Sequence, residues 1–155
     1  MARTVAPIPV TRATTVTPTV FQVLASDDAS ISEAAKQVAQ VNQNVWNDRG
    51  RRSQNRVPFS KLISMLPLSN DDLQPSLEPI YVVGKHLAPL GLDFFHHQPI
   101  EERFAIVSLE NGAEGYVQFL MKITWCRFLK PGWYDSGGKF IKIVSWEPPP
   151  RVKGA

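Results

Sequence analysis

The most regular pattern of apolar and polar positions in this chain has the period of a helix. Apolar residues recur every three or four positions over 30–47, namely Ile31, Ala34, Ala35, Val38, Val41 and Val45. Ser30 and Glu33 also have the spacing of a capping box, which satisfies two free backbone donors in the first turn. The pattern predicts one amphipathic helix over 30–47.

Apolar residues are dense over 58–66, and Pro67 follows them. Because proline interrupts a helix, this segment is predicted to be a short, buried second helix that ends there. Prolines and short polar residues predict a loop over 67–79. Residues 80–83 predict a short strand that ends at Gly84, and the residues from there to 99 are expected to be irregular.

The C-terminal half alternates with the period of a β-strand. Residues 103–109 and 116–129 predict two strands joined by a turn, and residues 139–146 predict a third after a glycine-rich loop at 130–138. On the second strand, one set of alternate positions is apolar: Val117, Phe119, Met121, Ile123 and Trp125. The pattern predicts a meander of three antiparallel strands with one buried face.

The two ends of the chain differ in composition from the middle. Residues 1–24 are poor in charge and rich in threonine, valine and proline, which favours an extended or flexible arm. A disordered tail and an ordered arm that reaches a partner subunit both remain open. Residues 148–155 form a proline-rich basic tail, which leaves 25–147 as a single globular domain. The fold is predicted to be α+β, with an N-terminal extended arm and an amphipathic helix packed against a C-terminal antiparallel β-meander.

Composition argues against two classes of protein. No apolar run is long enough for a membrane helix, and no signal-like segment begins the chain, so we expect neither a transmembrane segment nor secretion. Cys126 is the only cysteine, so no internal disulfide can form, as expected in a reducing compartment. We expect a cytoplasmic or other intracellular location, with a virion as the alternative.

The nearest approach to a catalytic or metal-binding group is the set His86, Asp93, His96 and His97. It has no second ligand pair at a standard spacing, and adjacent histidines point in different directions on a strand or a helix. No serine elbow, glycine-rich phosphate loop or carboxylate dyad is present either. The sequence therefore predicts no enzyme, no metal site and no cofactor.

Charge is distributed in three blocks along the chain. Residues 1–61 carry a net charge of +4, residues 62–120 carry −6 and residues 121–155 carry +5. Such a pattern concerns partners more than fold. It offers complementary blocks to neighbouring copies of the chain, and we expect a homo-oligomer.

The densest basic run contains no acidic residue and consists of Arg49, Arg51, Arg52, Arg56 and Lys61. The planar arginine fork binds two phosphate oxygens, so the run is a candidate for contacts with RNA or single-stranded DNA. Pairing with the acidic middle block is an equally supported alternative.

A second basic set lies on the predicted meander, together with aromatic residues that can stack on bases. Its candidate residues are Lys122, Arg127, Lys130, Trp133, Lys139 and Lys142. A solvated face of a sheet has the same composition, so the nucleic-acid interpretation needs the fold to support it.

Two functions from different classes follow. The first is a non-enzymatic structural or assembly protein that associates through its arm, a sheet edge and its charge blocks. The layout of an extended arm before a compact β-rich domain resembles that of small viral structural proteins, which implies self-assembly. The alternative is a nucleic-acid-binding accessory protein that uses the two basic sets.

Overall fold

The computed structural model describes residues 21–42, 56–75 and 78–147. Their elements follow in chain order: β1 (Gln22–Ala25), α1 (Asp28–Val41), β2 (Val57–Pro58), β3 (Leu62–Leu68), β4 (Ile80–Ala88), β5 (Gly91–His96), β6 (Phe104–Glu110), a 3₁₀ turn (Gly112–Glu114), β7 (Tyr116–Lys130) and β8 (Trp133–Ser145). The described residues are therefore mainly β, and α1 is their one α-helix.

Six of these strands close into an antiparallel barrel. The order is β8, β5, β4, β3, β6, β7, and β7 then pairs with β8 to complete the ring. Two extra strands add to it, β1 on β8 and β2 on β4. The α+β prediction is confirmed only in part. Strands β6, β7 and β8 do form the predicted meander, but it is half of a closed barrel in which the helix is a minor part.

The main hydrophobic core lies inside the barrel. The rings of Phe119 on β7 and Phe140 on β8 stack with centroids 4.1 Å apart. One face of α1 is buried in the same cluster, through Ile31, Ala35, Val38 and Ala39. Burial of each large apolar side chain contributes about 1.5–3 kcal/mol. The predicted apolar stripe of the helix is confirmed at Ile31, Ala35 and Val38, whereas Val41 is 42% exposed.

A second apolar cluster involves the alternate positions of the same strands. Leu66, Leu68, Ile106, Leu120 and Val144 are buried together, and Phe21 and Trp146 pack against them. Met65 and Leu66 are adjacent in sequence but belong to different clusters. Adjacent residues that enter different clusters lie on opposite faces of a strand, so the helix predicted over 58–66 is wrong. A strand with both faces buried is as densely apolar as a buried helix, and Pro67 is part of β3.

The predicted boundaries of the amphipathic helix are also corrected. The helix is capped by Asp27, whose carboxylate accepts a hydrogen bond of 2.8 Å from the backbone N–H of Ser30. This bond lowers the pKa of Asp27. The helix ends at Val41, and Asn42 then donates its side-chain N–H to the carbonyl oxygen of Glu110. The capping box predicted at Ser30 is therefore wrong.

Strands β4 and β5 replace the predicted irregular segment. β4 runs through Gly84 to Ala88, and β5 follows after a short turn and pairs with it. A Cβ atom at Gly84 would collide with the carbonyl oxygen of Phe59, so the glycine allows a close backbone approach and does not end the strand. Phe94 on β5 is fully buried in the core.

Strand β8 begins at Trp133, inside the predicted loop at 130–138. Gly137 and Gly138 lie within the strand and not in a turn. A Cβ atom on Gly138 would lie 2.5 Å from the carbonyl oxygen of Lys122, and one on Gly91 would lie 2.5 Å from that of Gly138. The glycines let neighbouring backbones approach where the barrel closes.

Most of the predicted arm, residues 1–20, and the tail 148–155 lie outside the described residues. The end of the arm is described, since Gln22–Ala25 forms β1 and pairs with the end of β8. Within the described ranges, no helix has the length and the hydropathy that crossing a membrane requires.

Candidate functional site

Four neighbouring strands place a row of functional side chains on one face. His86 on β4 is opposite Asp93 on β5, Asp93 is opposite Gly137 on β8, and Gly137 is opposite Trp125 on β7. Residues directly opposite in antiparallel strands share a face. The next row is Ala88, Gly91, Lys139 and Lys122. The strand register therefore brings together residues that lie as far apart in the sequence as His86 and Lys139.

An open cleft of about 630 Å³ lies over these rows. The turn between β4 and β5, at Pro89 and Leu90, forms one part of its lining, and Thr124 and Trp125 of β7 form another. Its polar lining consists mainly of Arg56, His86, Asp93 and Lys139. The cleft thus combines two cations, one carboxylate, one imidazole and one indole.

Trp125 lies against the backbone of β8. A Cβ atom on Gly137 would overlap three atoms of the indole ring, so only glycine at that position leaves the ring in place. Trp125 remains 40% exposed, and the guanidinium of Arg127 lies 5.6 Å from its centroid. An indole that is held against the backbone and is still 40% exposed can stack on a planar group.

Arg56 is held in the cleft by Asp93. Nη1 of the arginine donates to Oδ2 of Asp93 at 2.8 Å, and the arginine side chain remains 47% exposed while that of Asp93 is 8% exposed. His86 Nδ1 lies 3.4 Å from the other carboxylate oxygen. The ion pair fixes the guanidinium, and among the described residues its remaining N–H groups have no other hydrogen-bond partner. At Arg56, the basic run thus meets the acidic middle block within one chain.

Lys122 and Lys139 are directly opposite on β7 and β8, and both are exposed. Within the described ranges, neither has an acidic partner within 4.0 Å. Like charges at directly opposite positions repel each other. A bound anion would relieve that repulsion.

A buried carboxylate, Asp135, lies in the row on the other side of Asp93 and Gly137, away from Lys122 and Lys139. Asp135 is 2% exposed, and its Oδ2 accepts hydrogen bonds of 3.0 Å from both Lys85 and Arg127. Burial by itself raises the pKa of Asp135, but the two hydrogen bonds and the two positive charges outweigh it and hold the pKa below its ordinary value. Asp135 therefore fixes two cations beside the cleft.

The predicted histidine cluster is separated by the fold. His86 lines the cleft, whereas His96 is buried and His97 lies with its ring centroid 3.8 Å from that of Trp133. Nδ1 of His96 donates to the carbonyl oxygen of Gln98, so its Nε2 accepts from the Ser136 hydroxyl. Among the described residues, no group of three or more potential ligands could hold a metal ion.

The candidate residues from the sequence have different positions. Arg56 and Lys139 line the cleft, Lys122 and Arg127 are beside it through the strand register, and Lys61, Lys130, Trp133 and Lys142 do not line it. Arg49, Arg51 and Arg52 lie outside the described residues. Lys85, Asp93 and Asp135 were not predicted as site residues, because only the pairing of distant strands shows that they are near the others.

Comparison with protein-family models, curated proteins and solved structures found no match to this chain. A functional conclusion therefore depends on the chemistry of the cleft.

Proposed function

We propose that the protein binds phosphate-linked nucleotides in this cleft, either as a free dinucleotide or as part of single-stranded RNA or DNA. The observation that carries the proposal is the partly exposed indole of Trp125 in the same cleft as Arg56 and Lys139. Stacking on aromatic rings binds bases of any sequence, and cations bind the phosphates that link them.

Arg56 is suited to a phosphate contact because its position is already fixed. Its bond to Asp93 uses one nitrogen, and a guanidinium carries five N–H donors. Less side-chain entropy is then lost when a ligand binds. Arginine also matches the geometry of two phosphate oxygens better than lysine does.

The charge around the cleft favours an anion. Five cationic side chains surround two carboxylates there: Arg56, Lys85, Lys122, Arg127 and Lys139 with Asp93 and Asp135. Both carboxylates are buried and engaged by cations, so the exposed charge is positive. An excess of positive charge attracts polyanions and makes their binding sensitive to salt.

The size of the cleft fits the same class of ligand. Its volume of about 630 Å³ lies within the usual range of about 300–1,000 Å³ for sites that bind small molecules. A nucleotide or dinucleotide has this size.

The test is a binding titration with labelled single-stranded oligonucleotides and with mono- and dinucleotides, both linear and cyclic. We expect Trp125→Ala to weaken binding by about 5- to 150-fold, as for loss of one stacked base. Arg56→Gln and Lys139→Ala should weaken binding and reduce its dependence on salt. Lys142→Ala is the matched control, because Lys142 is on β8 but does not line the cleft.

The outcomes of the titration distinguish a free nucleotide ligand from a nucleic-acid strand. Tight binding of a dinucleotide with no gain from a longer strand identifies a free ligand, whereas affinity that grows with strand length identifies nucleic acid. If the joint replacement of Arg49, Arg51 and Arg52 lowers the salt slope only for strands, the basic run contacts the strand outside the cleft. Absence of binding to every probe, or equal loss in the Lys142→Ala control, overturns the proposal.

Self-assembly through the N-terminal arm remains a prediction, because residues 1–20 lie outside the described residues. Assembly through the charge blocks has one competitor inside the chain, the ion pair of Arg56 with Asp93. We rank ligand binding above assembly for that reason.

A further inference from the structure

Two lysines at one end of the cleft have no charge partner. Lys122 on β7 and Lys139 on β8 are directly opposite, both are exposed, and Lys139 lines the cleft. Among the described residues, no carboxylate lies within 4.0 Å of either ammonium group. The other cations around the cleft are paired, namely Arg56 with Asp93, and Lys85 and Arg127 with Asp135. The two lysines are therefore the uncompensated positive charge of the site.

A bulge in β7 brings this lysine pair to the same face as Trp125. Lys122 and Trp125 are three positions apart, so on a regular strand their side chains would lie on opposite faces. The pairing with β8 shifts between Ile123 and Trp125, which leaves Thr124 without an opposite residue. An extra residue of this kind re-aims the side chains after it, and bulges are frequent beside functional sites. The indole and the two ammonium groups therefore lie on one side of the sheet.

The lysine pair and the indole are one row apart. Lys139 and Gly137 are two positions apart on β8, and Gly137 is the residue against which Trp125 lies. Two positions along a strand correspond to about 6.5–7 Å. In a nucleotide, one sugar ring separates the phosphate from the base, which is a distance of the same order. A base on Trp125 can therefore keep its own phosphate near Lys122 and Lys139.

We propose that Lys122 and Lys139 form a subsite for a terminal phosphate monoester of the nucleotide whose base stacks on Trp125. The inference rests on the proposed nucleotide binding and narrows it to ligands that carry such a phosphate at one end. A phosphate monoester carries a charge of about −1.5 to −2 at pH 7, whereas the diester that links two nucleotides carries a single charge. Two unpaired lysines match the charge of the monoester.

Arg56 is suited to the other kind of phosphate. Asp93 compensates its charge, so the ion pair offers hydrogen-bond donors with little net charge. Such a group suits a linking diester. Lysine acts as a point charge on a flexible stem, so two lysines can follow the three free oxygens of a terminal phosphate. A ligand that satisfies both positions carries one linking and one terminal phosphate.

The test compares the affinities of matched dinucleotide probes at low salt. The probes are a thymidine dinucleotide without a terminal phosphate, the same dinucleotide with a phosphate at its 5′ or its 3′ end, and each phosphorylated form with that phosphate methylated. Methylation turns the monoester into a diester with one charge and changes its size little. We expect the terminal phosphate to raise the affinity about tenfold or more, and methylation to remove most of this gain. The two phosphorylated forms show which end of the ligand the subsite takes.

The lysines are assigned by the ratio of the affinities with and without the terminal phosphate. In Lys122→Ala, in Lys139→Ala and in the double variant, this ratio should fall below about threefold. Arg56→Gln should weaken the binding of both probes and keep the ratio, because Arg56 lies outside the subsite. Lys142→Ala is the matched control, since Lys142 is on β8 but does not line the cleft, and it should keep the ratio.

The possible failures separate this inference from the proposal on which it rests. A plain dinucleotide that binds, with no gain from a phosphate at either end, overturns the subsite and leaves nucleotide binding in place. Absence of binding by every probe overturns both. A gain that survives methylation, or that survives in the double lysine variant, means that another group holds the phosphate and overturns the subsite. An equal loss of the gain in Lys142→Ala would assign it to overall charge and would overturn the subsite as well.

Discussion

Individual cationic side chains in and beside the cleft are held in position by partners far away in the sequence. Arg56 pairs with Asp93, 37 positions later, and Lys85 pairs with Asp135, 50 positions later. Each carboxylate is buried and holds in place a cation that is exposed (Arg56) or partly buried (Lys85). Because a buried charge is costly unless it is paired, these contacts position the basic side chains more firmly than surface ion pairs do.

His96 makes stability depend on pH. Burial lowers its pKa, and so does the nearby His97, while the bond to Gln98 and the charge of Asp135 oppose the change. Its folded-state pKa is below the unfolded value, so the unfolded chain binds the proton more readily. The contribution to stability is complete above the ordinary pKa of 6.5 and is lost as the pH falls through the folded-state pKa.

We therefore expect the free energy of unfolding to decrease as the pH falls below about 6.5, as measured by urea denaturation at each pH. His96→Asn should make this part of the profile flatter. His97→Gln is the control: His97 is exposed and has the smallest of the four influences on the pKa of His96, so most of the pH dependence should remain. An unchanged slope in His96→Asn would assign the effect to another group.

Strands in this protein depend on glycine where side chains from neighbours cross them. Gly137 is the example that bears on function, because the indole of Trp125 occupies the space of a Cβ atom. A strand usually loses stability through an internal glycine, so its presence on β8 indicates a requirement for close approach.

Gly137→Ala is expected to displace the ring of Trp125 and to weaken nucleotide binding, with far-UV circular dichroism unchanged. The displacement should appear as a shift of tryptophan fluorescence that is absent in Gly137→Ala combined with Trp125→Phe. Normal affinity in Gly137→Ala would mean that the ring position has no part in binding.

The whole molecule is held together by closure of the barrel around one shared core. Phe119 and Phe140 stack at the junction of β7 and β8, and α1 buries one face in the same cluster. Helix, barrel and core are therefore expected to unfold in one transition.

Phe119→Ala should lower the free energy of unfolding by about 3–5 kcal/mol, because it leaves a cavity in this core. Far-UV circular dichroism and tryptophan fluorescence should report the same midpoint. Phe128→Ala is the control on the same strand; at 60% exposure it should change stability by less than about 0.5 kcal/mol. Separate midpoints for the two signals would show that α1 and the barrel unfold independently.

Local patterns were sufficient for part of this fold. The apolar stripe of α1 depends on one buried face, which leaves a clear period in the sequence. Strands β6 and β7 are predicted correctly as strands, although Ile106 and Leu120 are buried on their second faces. Strand β3 is buried on both faces, and its period disappears. In the sequence, the glycines of β8 look the same whether they form a turn or permit close packing of strands. Only the position of the neighbouring strand distinguishes these two cases.

By itself the sequence determined that β-structure dominates the C-terminal half, that one amphipathic helix precedes it, and that basic and aromatic residues are plentiful in both halves. These properties depend on neighbours a few positions apart. Only the tertiary structure decided that the sheet closes and that Arg56 and Lys139 line one cleft with Trp125. Those features depend on strand order and register, which are set by long-range packing and leave no local period in the chain.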